Sequence, residues 1–202
     1  METFTHTAGG IRFSLQADPA LRMPAQMLLR SLESVPADEM KDGYMFEAGF
    51  SVFTCMAAED GYQILSPDYA DSPLINTTQD LSAALWVLLE QALLLKKCGI
   101  GGEPTRFDDE IVVAEGALES PLISLQRYSD LGGSGWCVEA LAMEDGMCQT
   151  VSAPYSTIYA YELFAKRPAL LRVLSLPREY FVVFEENSIA DILNEKNESL
   201  LT

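Results

Sequence analysis

Tyr128-Ser-Asp-Leu-Gly-Gly-Ser-Gly-Trp-Cys-Val138 sets a polar, glycine-rich turn directly against one of the two tryptophans of the chain. Gly132, Gly133 and Gly135 allow backbone angles that a Cβ forbids. Asp130 and Ser134 are residue types whose side chains bond nearby backbone amides and hold such turns. Trp136 opens an apolar run that reads as a strand over residues 135–141, with Trp136, Val138 and Ala140 on one face. The turn therefore delivers a large core side chain straight from a loop into a sheet. The sequence that follows reads as a compact unit built on that strand.

Before it, residues 110–115 and 122–127 read as strands around Gly116. After it, Glu144-Asp145-Gly146 is a hairpin turn and residues 147–151 return. Ser156 is placed to cap a helix through about Arg167. Pro168 is suited to begin a second helix, with Leu170, Leu171 and Leu174 on its apolar face and Pro177 beyond its end. Residues 180–185 read as a final strand and residues 188–193 as a short terminal helix.

In the first half, residues 10–16 alternate apolar and polar, as a strand does. Pro24 admits a helix only from about that position, within residues 21–32. Residues 44–57 read as one strand with a bulge at Gly49. They pair with residues 62–65 through a Glu59-Asp60-Gly61 turn. Thr77-Thr78-Gln79-Asp80 reads as the start of a helix running to Lys97, with Leu81, Leu85, Leu88, Ala92 and Leu95 on one face and Gly99 ending it. Trp86 lies beside that face and reads as a packing residue. Residues 99–105 read as a linker. Strands joined by short hairpins, with helices grouped, give an α+β fold: mainly antiparallel sheets with helices packed on them, in two lobes, 1–98 and 103–202.

Composition narrows the function. A net charge of −17 over 202 residues argues against nucleic acid and anionic membranes as partners, because both need a basic footprint. Thirteen acids stand against six bases up to Ile100 and seventeen against seven after it, so the acidity belongs to both halves. A basic protein partner fits that charge. No secretory signal or bilayer-spanning run is visible, and four scattered cysteines read as buried thiols, so cytoplasm is the expected compartment.

Catalytic signals are sparse. His6 is the one histidine, in a segment expected to fray. No zinc-ligand spacing and no nucleophile-elbow motif occurs, and the paired acids Glu59/Asp60, Asp108/Asp109 and Glu144/Asp145 fall at turns. Cys137 has no neighbouring base or cation in sequence. The residues point towards a binding protein rather than an enzyme, and away from a zinc site.

Residues 98–186 resemble the immunity-protein-33 family of bacterial polymorphic-toxin and contact-dependent competition systems. The resemblance rests on an ordered set: a Gly-x-Gly break after a helix, Ile111-Val-Val-Ala114, a strand ending near Arg127, then Ser134-Gly135-Trp136 after an acidic position, here Asp130. Tyr159-Ala-Tyr-Glu-Leu163 leads into Arg167-Pro168-Ala-Leu-Leu171, and Leu174-Ser-Leu-Pro177 precedes a last apolar strand. Where the family often carries further acids before Ser-Gly-Trp, this chain has glycines. The resemblance implies a cytoplasmic protein that binds and neutralises a cognate toxin, with no enzyme activity and no cofactor. Acidity suits a basic, nuclease-type toxin. Tyr128, Asp130, Tyr155 and Tyr159 are the expected contacts, as acids and aromatics near the signature turn. Gly132, Gly133, Ser134, Gly135 and Trp136 are the expected structural turn. The alternative function is an acidic chaperone or adaptor for a secreted protein. The sequence leaves self-association open.

Overall fold

The structure, a computed structural model, describes residues 1–36, 38–144 and 147–201. It forms two compact units, Met1–Ala92 and Leu93–Thr202. Each is built on its own largely antiparallel sheet, so the α+β class and the two sheet lobes read from the sequence are present. No helix among the described residues is long and apolar enough to cross a membrane.

The first unit holds β1 (Glu2–Ala8), β2 (Ile11–Ala17), α1 (Arg22–Ser31), β3 (Tyr44–Ala48), β4 (Ser51–Ala58), β5 (Gly61–Pro67) and β6 (Thr77–Thr78). The helix α2 (Ser82–Cys98) begins in it. The sheet order is β1-β2-β5-β4-β3, with β6 on the end of β5 and one parallel pair, β2 with β5. Phe13, Leu15, Ala17, Phe53, Cys55 and Ile64 point into a core closed by Leu28, Leu29 and Leu32 of the α1 region and by Leu81, Ala84 and Leu85, with Trp86 packed on its edge.

Four expectations for this unit change. The segment around His6 does not fray: β1 pairs along its whole length with β2, through a turn in which Gly9 and Gly10 both have positive φ, the geometry of a two-residue hairpin. Its threonine-rich strand carries only Phe4 into the core, which hides it from a search for apolar runs. His6 Nε2 lies 2.7 Å from Glu33 Oε1. Residues 44–57 are not one bulged strand but two, β3 and β4, because Gly49 (φ +56°) turns the chain and Ala48 pairs with Ser51. Thr77 and Thr78 are strand, paired with Pro67 and Ser66. The helix starts later, where Ser82 N–H donates to Asp80 Oδ1 (3.0 Å). Pro24 sits inside the first turn of α1 rather than at its start; its missing N–H is one that no intrahelical carbonyl would meet. The expected hairpin forms, with Glu59 and Asp60 as its turn and Gly61 already in β5, paired with Ala58. Gly61 is required there: a Cβ would lie 2.0 Å from the Arg12 carbonyl oxygen of the neighbouring β2.

The second unit contains β7 (Glu110–Ala114), β8 (Leu122–Arg127), β9 (Trp136–Glu144), β10 (Met147–Thr150), β11 (Tyr155–Tyr159), α3 (Leu163–Lys166), β12 (Phe181–Glu185) and β13 (Ser188–Leu193). Its sheet runs β11-β7-β9-β8-β12-β13, with β10 paired to the far end of β9 and only β7 and β9 parallel. Within the expected hairpin turn after β9, Asp145 and Gly146 lie outside the described residues.

Four expectations change here too. Residues 155–159, expected as the first turns of a helix capped by Ser156, are the edge strand β11, paired in register with β7 (Tyr155 opposite Ala114, Tyr159 opposite Glu110). Only then does a short helical segment begin, where Glu162 Oε1 accepts from Tyr159 N–H at 2.9 Å. Residues 168–173 form a 3-10 helix rather than an α-helix, packing Leu170, Leu171 and Val173 out of solvent. Residues 188–193 are not a helix but strand β13, turned back onto β12 after Glu186, whose φ is +52°. Residues 99–105, read as a linker, lie inside this unit: Glu103 N–H donates to the Ser175 carbonyl at 2.9 Å and Thr105 is fully buried.

Candidate functional site

One face of the second sheet is the core. Ile111 and Val113 of β7, Trp136 and Val138 of β9, Ile123 and Leu125 of β8, Val182 and Phe184 of β12 and Ile192 of β13 all point to it and are buried. Residues alternate across a strand, so the opposite face collects Tyr155, Thr157 and Tyr159 of β11, Glu110 and Val112 of β7, Cys137 and Glu139 of β9, and Phe181 and Val183 of β12. Register brings them together. Thr157, Val112, Cys137, Gln126 and Phe181 form one row across five strands. One step along lies a second row, Tyr155, Ala114, Glu139, Ser124 and Val183.

That second row produces the most distinctive feature of the face. Tyr155 and Glu139 stand two strands apart, about 10 Å between backbones. The residue between them is Ala114, whose methyl leaves the space open. The Tyr155 side chain reaches across it, and its hydroxyl donates to Glu139 Oε1. Tyr128 follows Arg127, the last residue of β8. Arg127 points to the core side, so Tyr128 turns to the open face. Together Val112, Tyr128, Asp130, Leu131, Cys137, Glu139 and Tyr155 line a concavity of about 520 Å³. Three of the four expected contacts, Tyr128, Asp130 and Tyr155, therefore share one hollow. Tyr159 does not: it stands at the other end of β11, stacked on Tyr161 at 5.6 Å between ring centroids. Tyr155 is 55 % exposed and Tyr159 37 %.

The negative charge of Glu139 is felt by its neighbours. Its hydrogen bond holds the Tyr155 phenol up at about 12. Burial, with Glu139 adding to it, pushes the Cys137 thiol up to about 11, so at neutral pH it is a thiol and not a nucleophilic thiolate. Burial, then Glu139, raises the Tyr128 phenol too. The Tyr155 shift gives a direct prediction. An unfolded tyrosine ionises near ~10, so the Tyr155–Glu139 bond is complete below that pH and is lost as pH rises through about 12. Following the Tyr155 ring carbon by NMR should give a midpoint near 12 in the native chain, and Glu139→Gln should return it towards ~10. An unchanged midpoint in the variant would mean that the carboxylate is not the cause.

The signature turn lies at one end of this hollow and is held from the core side. Ser134 Oγ donates to the Glu110 carbonyl (2.6 Å) and accepts from Trp136 N–H (3.2 Å), tying the turn to β7 and to the start of β9. Gly133 and Gly135 have φ of +65° and +82°. Beneath them Arg127, 2 % exposed, donates to the carbonyls of Ser134 (2.9 Å), Glu103 (2.6 Å) and Leu176 (2.6 Å), and its guanidinium carbon stands 5.7 Å from the centre of the Trp136 ring. Glu103 Oε1 bridges Arg127 (3.3 Å) and Arg178 (3.2 Å), and Arg178 Nη1 donates to the Tyr128 carbonyl. Burial pushes the Arg127 guanidinium below its ordinary pKa, and Glu103 opposes that shift. The Trp136 indole N–H donates to Thr105 Oγ1 at 3.1 Å. Asp130 is exposed and forms no hydrogen bond or ion pair with the described residues, so Ser134 and the arginines, not Asp130, fix the turn.

The first unit has a different concavity, almost wholly apolar, between Met23, Pro24, Met27 and Leu28 on α1 and Leu88, Leu89 and Ala92 on α2. Met23 and Met27 are more than half exposed there. No group of three or more His, Cys, Asp or Glu residues placed to hold a metal ion occurs among the described residues. Glu139 is the residue that sequence reading passed over. It is one acid among thirty, and the signal available was its position in the alternation: with Trp136 and Val138 inward, Cys137 and Glu139 must face out.

Comparison with known proteins places this arrangement in a family. No curated protein and no solved structure matches the chain. The family model for the Imm33-like domain matches residues 90–195, which takes in the whole of the second sheet, the signature turn and the hollow. That match covers just over half of the sequence, and the chain belongs to the Imm33-like domain family, an immunity-type protein.

Proposed function

We propose that the chain neutralises a cognate bacterial toxin in the cytoplasm by binding it directly and covering its active surface, and that it carries out no catalysis. The observation that supports this reading best is the open face of the second sheet. There, within the family-matched region, exposed Tyr155, half-buried Tyr128 and two acids without a cationic partner converge on one hollow, beside a thiol too protonated to attack a substrate. Aromatic side chains give an interface its anchors, and acids give it charge complementarity. Tyr128, Asp130 and Tyr155 are the proposed toxin contacts, with Tyr159 extending the surface along β11. A net charge of −17 suits a basic toxin of the nuclease type, whose own site must attract phosphate. The acidity disfavours nucleic acid and anionic membrane as partners.

The test is protection. Cells expressing the toxin domain encoded beside this gene should survive when the chain is co-expressed, and purified chain should bind that folded domain one to one. Failure of both would remove the reading. The apolar groove between α1 and α2 favours a second one: a chaperone or adaptor that grips an unfolded segment of a secreted protein, since methionine-lined surfaces adapt to varied apolar partners. It predicts binding to an extended peptide of the partner and none to its folded toxin domain.

A further inference from the structure

We propose that the hollow on the second sheet is a socket for a single arginine side chain of the partner, with Glu139 as its anionic end, Tyr128 and Tyr155 as its walls and Asp130 at its rim; the immunity reading is needed only to say that the partner is a toxin. The argument begins with the position of Glu139. It projects from a central strand, half-buried, with Val112 of β7 and Cys137 of its own strand on the same face. A carboxylate there loses hydration and needs compensation. Its described partner is the neutral Tyr155 hydroxyl, on one oxygen, and no cation among the described residues pairs with it.

The two arginines that brace the signature turn are committed elsewhere. Arg127 is turned to the core and holds three carbonyls, and Arg178 holds the Tyr128 carbonyl and Glu103. No cation of the described residues pairs with Glu139, so a cation for it would come from outside the chain. The raised ionisation of Tyr128, Cys137 and Tyr155, each with Glu139 among its causes, is what an uncompensated negative charge does to acidic neighbours.

The lining selects arginine over lysine. A guanidinium presents paired donors in one plane that match a carboxylate, and it stacks on aromatic faces; an ammonium makes a single, strongly hydrated point contact. Tyrosine rings attract a cation set over them. Val112 and Leu131 supply apolar surface for the methylene stem, as long cationic side chains require. The open face would thus exclude a neutral side chain by leaving Glu139 unpaired and would accept arginine by pairing it.

The experiment needs no toxin. N-acetyl-arginine methylamide is titrated into the full isotope-labelled chain, with the lysine and norleucine analogues as comparisons. Saturable amide shifts are expected to cluster at Val112, Cys137, Glu139 and Tyr155, to be about threefold weaker in affinity with lysine, and to be absent with norleucine. Glu139→Gln should weaken arginine binding about tenfold, whereas Glu115→Gln, an exposed acid outside the hollow, should leave it unchanged. Tyr155→Phe, which frees the bonded carboxylate oxygen as well, should still bind arginine. Shifts scattered over the acidic surface, equal binding to lysine and arginine, or full binding by folded Glu139→Gln would each overturn the socket. Arginine binding without protection from the toxin would leave the socket standing and remove the immunity reading. Protection without arginine binding would do the reverse.

Discussion

Replacing Arg127 with methionine is expected to destabilise the second unit by about 3–5 kcal/mol. Methionine keeps much of the length and fills the space beside Trp136, so the loss is not chiefly a cavity. It comes from the acceptors left behind. The carbonyls of Ser134, Glu103 and Leu176 each receive a guanidinium N–H, two of them at 2.6 Å, and all three stay in place when the arginine goes. A buried acceptor without a donor costs about 1–3 kcal/mol. Glu103 is 46 % exposed and recovers hydration, so the lost ion pair adds little. Arg127→Lys keeps the charge but not the fork that spans three carbonyls, and should lose about 2 kcal/mol. Urea unfolding followed by Trp136 fluorescence, in a Trp86→Phe background that silences the first unit, measures both. A loss below about 1 kcal/mol for the methionine variant would show that the carbonyls find other donors.

That arginine shows why part of this fold was readable in the sequence and part was not. The Ser-Gly-Trp turn and the strand it feeds are local features, and glycine spacing with a neighbouring tryptophan reveals them. What fastens the turn is not local: Glu103 and Leu176 lie 24 and 49 residues from Arg127. The same limit governs the strands read as helices. Tyr-Ser-Thr-Ile-Tyr of β11 offers a capping serine and an isoleucine at helical spacing from later apolar residues. Its strand partner, β7, lies some forty residues earlier. Ser188–Leu193 looked like a terminal helix because pairing with β12 appears only after Glu186 adopts positive φ. The long helix α2 was legible because its contacts repeat within its own sequence, and its start was misplaced where β6 pairs with distant Pro67.

For the candidate site, the type of residue was legible and the geometry was not. Aromatics and acids near the signature turn pick out Tyr128, Asp130 and Tyr155. Only the register across β11, β7 and β9 places Glu139 opposite Tyr155, with small Ala114 between them.

Gly135→Ala is the second large effect, expected at about 2–4 kcal/mol. Gly135 has φ of +82°, and an added Cβ would sit 2.6 Å from the Tyr128 carbonyl oxygen and 2.7 Å from Arg178 Nη1. The arginine end can move, but the carbonyl is backbone and is already bonded to Arg178 at 2.8 Å and paired through Tyr128 N–H to the Gly135 carbonyl. Relief therefore requires either breaking the Arg178 bond or shifting Tyr128, one wall of the hollow. Gly132, three residues earlier, has no positive φ and open space where its Cβ would go, so Gly132→Ala should change stability by no more than about 0.5 kcal/mol. The pair separates two explanations of the glycine-rich turn. If both alanine variants cost little, the turn is merely flexible; if only Gly135→Ala is costly, close approach of Tyr128 and Arg178 is what requires glycine. Thermal unfolding of the two variants side by side decides this.

The central claim is that this acidic, Imm33-like chain works by seating a basic toxin on the open face of its second sheet. Titration calorimetry of the purified toxin domain into the chain, at low and at physiological salt, tests it most directly when repeated with Tyr155→Ala. The account predicts tight one-to-one binding that weakens as salt screens the acids and falls about tenfold or more when the exposed tyrosine is removed. Equally tight, salt-independent binding by the native chain and by Tyr155→Ala would contradict it.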